Sequence, residues 1–131
     1  MQPIPGAADL LRSLDKPRCV ASNAPLVKVR CCLEATNLID FFDNDLLFSA
    51  YEVQAWKPKP DVFLHAASRL GVAPEHCAVI EDSHFGIDAG IAAGMQVFAL
   101  SPQQRQLPPA NSTGFQIFEE LSQLISILNQ T

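Results

Sequence analysis

The chain has 131 residues, 48% of them hydrophobic and 18% charged, with a net charge of -5. That length suits one domain burying about two-thirds of its unfolded surface, and the composition excludes a disordered or collagen-like chain. The negative balance argues against nucleic-acid and anionic-membrane binding, no apolar run approaches the roughly 20 residues of a membrane span, and the first residues lack a signal-peptide pattern, so a cytoplasmic protein is expected.

Pro5-Gly6 is a turn signal, and residues 7–14 carry apolar positions at helical spacing until Asp15-Lys16-Pro17 stops them. Residues 19–21 read as a buried strand that runs through Ser22-Asn23-Ala24-Pro25 into a helix over 27–33. Residues 37–42 suggest a helical turn and 46–49 a second strand. A loop over 51–61 is punctuated by Pro58 and Pro60, and a helix over 62–70 is closed by Gly71.

Residues 78–80 form a third strand, 87–93 a helix ended by Gly94, and 96–100 a fourth strand. Residues 101–114 read as a long polar loop, 115–117 as an edge strand, and Phe118, Leu121, Leu124, Ile125 and Leu128 as an amphipathic helix. Alternating strands and helices imply an α/β fold, a Rossmann-like parallel sheet with helices on both faces and no internal domain boundary.

Cys19, Cys31, Cys32 and Cys77 lack zinc or CxxC spacing and read as small buried hydrophobes in a reducing compartment. Gly86, Gly90 and Gly94 recur every four residues, which predicts close packing of one helix on the sheet.

Chemistry concentrates in the stretch from Cys77 to Gly86, where an apolar strand delivers Glu81 and Asp82 to a sheet edge. The pair can hold a hard cation such as Mg2+, or form an ordinary acidic turn in which Asp or Ser caps the next helix. Ser22-Asn23 ends the first strand and Lys57 follows the second. Parallel strands point their carboxyl ends to one edge, so these groups can converge as a receptor for a phosphoryl group. His65, His76 and His84 share no metal spacing, and Trp56 is expected to pack rather than to recognise a ligand.

With these residues in order, the chain resembles the haloacid dehalogenase (HAD) superfamily of hydrolases, in the subgroup similar to beta-phosphoglucomutase and sugar-phosphate phosphatases. Val20-Ala21-Ser22-Asn23 matches the family's second motif, Trp56-Lys57-Pro58-Lys59-Pro60 its third, and Val79-Ile80-Glu81-Asp82-Ser83 through Gly86, with Ala92-Ala93-Gly94-Met95, its fourth. The resemblance implies a Mg2+-dependent phosphatase of a small phosphorylated metabolite. Ser22 and Lys57 would be catalytic, Ser22, Asn23 and Lys57 would bind phosphate, and Glu81 and Asp82 would bind metal. The register selects Lys57 over Lys59 as the active lysine.

The family's first motif is an apolar strand ending in Asp-x-Asp-Gly-Thr, whose first Asp forms an aspartyl-phosphate and whose second is the general acid and base. None of the 131 residues supplies it: Asp43-Asn44-Asp45 lacks a leading strand and is followed by Leu46-Leu47. The expectation is therefore the C-terminal portion of a HAD core, without first strand or cap and inactive alone, with Gln2 to Gly6 as the return from the cap and an exposed slot in the sheet. Phosphoryl transfer of the beta-phosphoglucomutase type is open to a longer parent. The competing expectation is a non-catalytic binding domain, or a piece that needs a separate N-terminal segment or self-association.

Overall fold

The computed structural model describes residues 6–100 and 115–129. Helix α1 (Ala7–Ser13) precedes strand β1 (Val20–Ser22), helix α2 (Leu26–Ala35) and strand β2 (Leu47–Ser49). The short helix α3 (Ala50–Val53), helix α4 (Asp61–Leu70), strand β3 (Ala78–Glu81), helix α5 (His84–Ala92) and strand β4 (Gln96–Leu100) follow. Strand β5 (Phe115–Phe118) and helix α6 (Leu124–Asn129) complete the described chain, with single 3-10 turns at 39–41, 44–46, 74–76 and 121–123.

The strands form two parallel sheets, β1–β2 and β3–β4–β5. β4 is central to the larger sheet and carries the burial expected of a strand covered on both faces. Its side chains alternate: Val97 and Ala99 join a core with Ile87, Ala89 and Phe63, whereas Phe98 and Leu100 pack with Leu10, Leu121 and Leu124. Helices therefore lie on both faces of β4. A third cluster of Phe48, Ala50, Val62 and Ala66 seats the smaller sheet on α4. α4 straddles the two sheets, since Phe63 and Ala67 belong to the first core and Val62 and Ala66 to the third.

The glycine stripe packs as its spacing predicts: a Cβ on Gly90 would lie 2.6 Å from Val97 Cγ2, which requires the helix to sit directly on the sheet. Gly71 closes α4 in the left-handed region at φ +72°, where a side chain would be strained.

Several boundaries differ from the sequence expectation. Residues 50–53 are helical rather than loop, because the Ser49 side chain and Glu52 form a reciprocal capping box. α5 begins at His84, three residues early, because the Ser83 hydroxyl accepts the Gly86 N–H at 3.1 Å. The C-terminal helical run is split into a 3-10 turn at 121–123 and α6. Cys31 is exposed and the other cysteines are only partly buried, so they are less enclosed than their apolar neighbours suggested. The expected loop at 101–114 and most of the expected cap return at 2–6 lie outside the described residues.

Candidate functional site

β1 and β3 run in the same direction although no described strand joins them. Cys19 and Cys77, just before each strand, line one cavity, and the far ends of the two strands meet at one side chain. That side chain is Lys57. Its Nζ donates to the Ala21 carbonyl of β1 at 2.9 Å and to Glu81 Oε2 at the end of β3 at 2.5 Å.

The lysine is held from every side. Its aliphatic stem carries the ammonium to 4.8 Å from the centre of the Phe63 ring, a favourable cation–π placement. Asn23, directly after β1, accepts the Lys57 N–H at 2.8 Å through Oδ1 and donates to the Lys57 carbonyl at 3.5 Å through Nδ2. The two loops are thereby tied at both backbone groups of one residue. The Lys57–Pro58 peptide is cis. Lys59, two residues on, is exposed.

Ser22 Oγ accepts the Ala24 N–H at 3.0 Å, which turns the chain away from β1 and leaves the hydroxyl its own donor. Behind this turn lies Ser49, which is 1% exposed and donates to the Ala24 carbonyl at 2.6 Å. Sequence reading missed Ser49 because a serine at a strand end looks like surface; the Glu three residues later was the available signal of a capping box.

Glu81 and Asp82 differ although they are adjacent. The Glu81 side chain is 13% exposed, paired with Lys57 and backed by the Ser83 hydroxyl at 3.3 Å. It also lies flat on α5, where a Cβ on Gly86 would fall 2.0 Å from its carboxyl carbon. Asp82 is exposed at the same edge. No group of three or more His, Cys, Asp or Glu side chains gathers among the described residues. Mg2+ typically takes one or two carboxylates and completes its shell with water and phosphate oxygens, so the exposed Asp82 fits such an ion as a single ligand. Glu81 has one oxygen already committed to an ammonium.

Trp56 packs edge-to-face on Tyr51 with ring centroids 5.1 Å apart. His84 is exposed at the first position of α5, while Asp43 and Asp45 are exposed at a 3-10 turn before β2. Arg30 donates to Asn44 within that turn at 2.6 Å. Burial pushes the Cys19 thiol up to about 11, with Cys77 adding to the shift, which makes Cys19 a poor nucleophile at neutral pH.

The model of the haloacid dehalogenase-like hydrolases matches residues 1–94. The chain belongs to this family. It is 36% identical over 126 residues to 6-phosphogluconate phosphatase of Escherichia coli, covering 95% of this chain and 57% of that protein. It is also 36% identical over 97 residues to the fructose-1-phosphate phosphatase of the same organism, covering 72% of this chain and 50% of that one.

A solved HAD family hydrolase of Deinococcus radiodurans with bound phosphate and sodium superposes with a TM-score of 0.84 at 28% identity, over 97% of this chain and 59% of that one. This HAD chain thus spans between half and three fifths of the length of these relatives. The α/β architecture with parallel strands is that of the family, and its relatives include sugar-phosphate phosphatases.

Proposed function

We propose that the chain forms the phosphate-binding half of a Mg2+-dependent phosphatase acting in the cytoplasm on a small phosphorylated metabolite, a sugar phosphate or a close relative. The observation that supports this most is the reach of Lys57 from β1 to β3, which gathers Ser22, Asn23, Glu81 and Asp82 at one edge. In this reading the Ser22 hydroxyl and the backbone N–H of Asn23 donate to phosphoryl oxygens, and the Lys57 ammonium offsets the charge that develops on them. Glu81 orients the ammonium it faces, and shares with Asp82 the negative field that attracts the metal. Asp82 would hold Mg2+, which would supply Lewis-acid neutralisation of the phosphoryl oxygens.

The attacking carboxylate is assigned to polypeptide outside residues 1–131. Asp43 and Asp45 sit on an exposed turn before β2, at the opposite end of that strand from the edge just described. An aspartyl-phosphate path, hydrolytic or of the mutase type, then depends on that external residue.

The test is phosphate release from 6-phosphogluconate and fructose 1-phosphate with Mg2+, by this chain alone and by a longer parent that includes it. The chain alone should give no turnover above background. In the parent, Lys57→Ala and Asp82→Ala should each lower kcat/KM about 100-fold or more, in the range of lost electrostatic stabilisation. Undiminished activity in the double variant overturns the assignment.

A second reading, a non-catalytic phosphate-binding domain, is favoured by the lack of an Asp-x-Asp-Gly-Thr segment in the 131 residues. It predicts a parent that binds inorganic phosphate and never turns substrate over.

A further inference from the structure

Asn23 has a backbone face and a side-chain face, and the phosphate-binding reading uses only the first. A backbone N–H directed at a phosphoryl oxygen is available from any residue except proline. That role does not call for an amide side chain. The side chain instead meets Lys57 in another loop, where Oδ1 accepts its N–H at 2.8 Å and Nδ2 donates to its carbonyl at 3.5 Å. Among the described residues neither of these Lys57 groups bonds a backbone partner. The nearest backbone bonds, Ala55 N–H to the Ala50 carbonyl and Lys59 N–H to the Trp56 carbonyl, are local and do not reach β1.

The turn that carries Asn23 is held without this side chain. Ser22 Oγ accepts the Ala24 N–H at 3.0 Å, and Ser49 Oγ donates to the Ala24 carbonyl at 2.6 Å. Asn23 therefore projects from a turn already fixed on both sides, and its amide can serve as an anchor for the lysine loop. At the other end of Lys57 the ammonium is bonded to the Ala21 carbonyl and to Glu81. A flexible four-carbon stem does not place its charge by itself, and here both its root and its tip are tied.

We infer that the side chain of Asn23 is the positioning residue of Lys57, setting the ammonium against the Ser22 hydroxyl by clamping the lysine backbone. It acts through Lys57, and its role requires no contact with substrate. The residue type follows from the task, because one short side chain must accept from an N–H and donate to a carbonyl together. Ionised aspartate accepts but cannot donate, and leucine, of similar shape, does neither. The catalytic consequence rests on the phosphatase reading, whereas the clamp itself does not.

Amide exchange followed by NMR in this chain tests the clamp. In Asn23→Leu the Lys57 amide should exchange about 10-fold faster or more, while the Ala24 amide, held by Ser22, stays within about 2-fold. Asn23→Asp, which keeps the acceptor, should retain most of the Lys57 protection, and Asn23→Ala gives the same reading as leucine if leucine is not tolerated. In a longer parent acting on 6-phosphogluconate, Asn23→Leu should lower kcat about 10- to 100-fold, the scale of a misplaced catalytic group, and change KM far less. Added to Lys57→Ala it should lower kcat by no more than about a further 2-fold, because the group it positions is gone. The inference is overturned if Asn23→Leu leaves the Lys57 amide unchanged, if Ala24 loosens as much as Lys57, or if the two kinetic losses multiply. A parent without turnover, or one in which Lys57→Ala changes nothing, overturns the phosphatase reading instead, and the clamp is then decided by the amide exchange.

Discussion

At the scale of single residues, the site depends on how tightly Glu81 is enclosed between an ammonium and a glycine. Replacing Gly86 by alanine would bring a methyl group within 2.0–2.4 Å of the Glu81 carboxylate, which must leave. The carboxylate is the far end of a flexible side chain, so the fold should survive with a small loss of stability. Lys57→Met should cost more, about 3 kcal/mol, because it leaves Glu81 enclosed without its partner. Urea denaturation of both variants checks the order; equal losses would show that the pair contributes little.

Lys57 was legible in the sequence from the proline beside it and its place in the third motif, as were Ser22 and the acidic pair. The contact between Glu81 and Gly86 was not, because it depends on how α5 lies against the end of β3. Nor did adjacency in sequence reveal that Glu81 would turn toward a lysine and Asp82 toward solvent.

Among the elements, the strands and the longer helices followed from apolar spacing, and their order followed from the alternation of the two periods. Short elements escaped, since four helical residues carry almost no periodic signal. α3 exists through its cap: Ser49 accepts the Tyr51 N–H at 3.2 Å, and Glu52 accepts the Ser49 N–H at 2.8 Å. Ser49 also holds the Ala24 carbonyl from behind the Ser22 turn. Ser49→Ala should therefore destabilise by about 1–2 kcal/mol, the range of a lost helix cap, and broaden the Ser22 to Ala24 amide resonances as well as those of α3. A change confined to α3 would show that Ser49 does not support the turn after β1.

For the molecule as a whole, the parallel α/β plan was legible. Which strands would pair was not, because strand order cannot be read from the order of elements along a chain. Sequential strands neighbour one another only roughly two-thirds of the time, and here β2 and β3 do not.

That arrangement bears on how the free chain comes apart. Among the described residues the β1–β2 layer is joined to the β3–β4–β5 layer by α4, by the ammonium of Lys57, by Ala21 packed against the larger core and by Arg12 over the Phe41 ring, and α4 contributes to both cores with adjacent faces of a single helix. Cooperative unfolding requires each part to lose its support when another leaves, and a single helix with a few side-chain contacts transmits that dependence weakly between two separate sheets. Urea should melt the smaller layer with α2 and α3 first, in a transition distinct from that of β3–β4–β5. A single transition would mean that α4 and these contacts are enough to make the halves one folding unit.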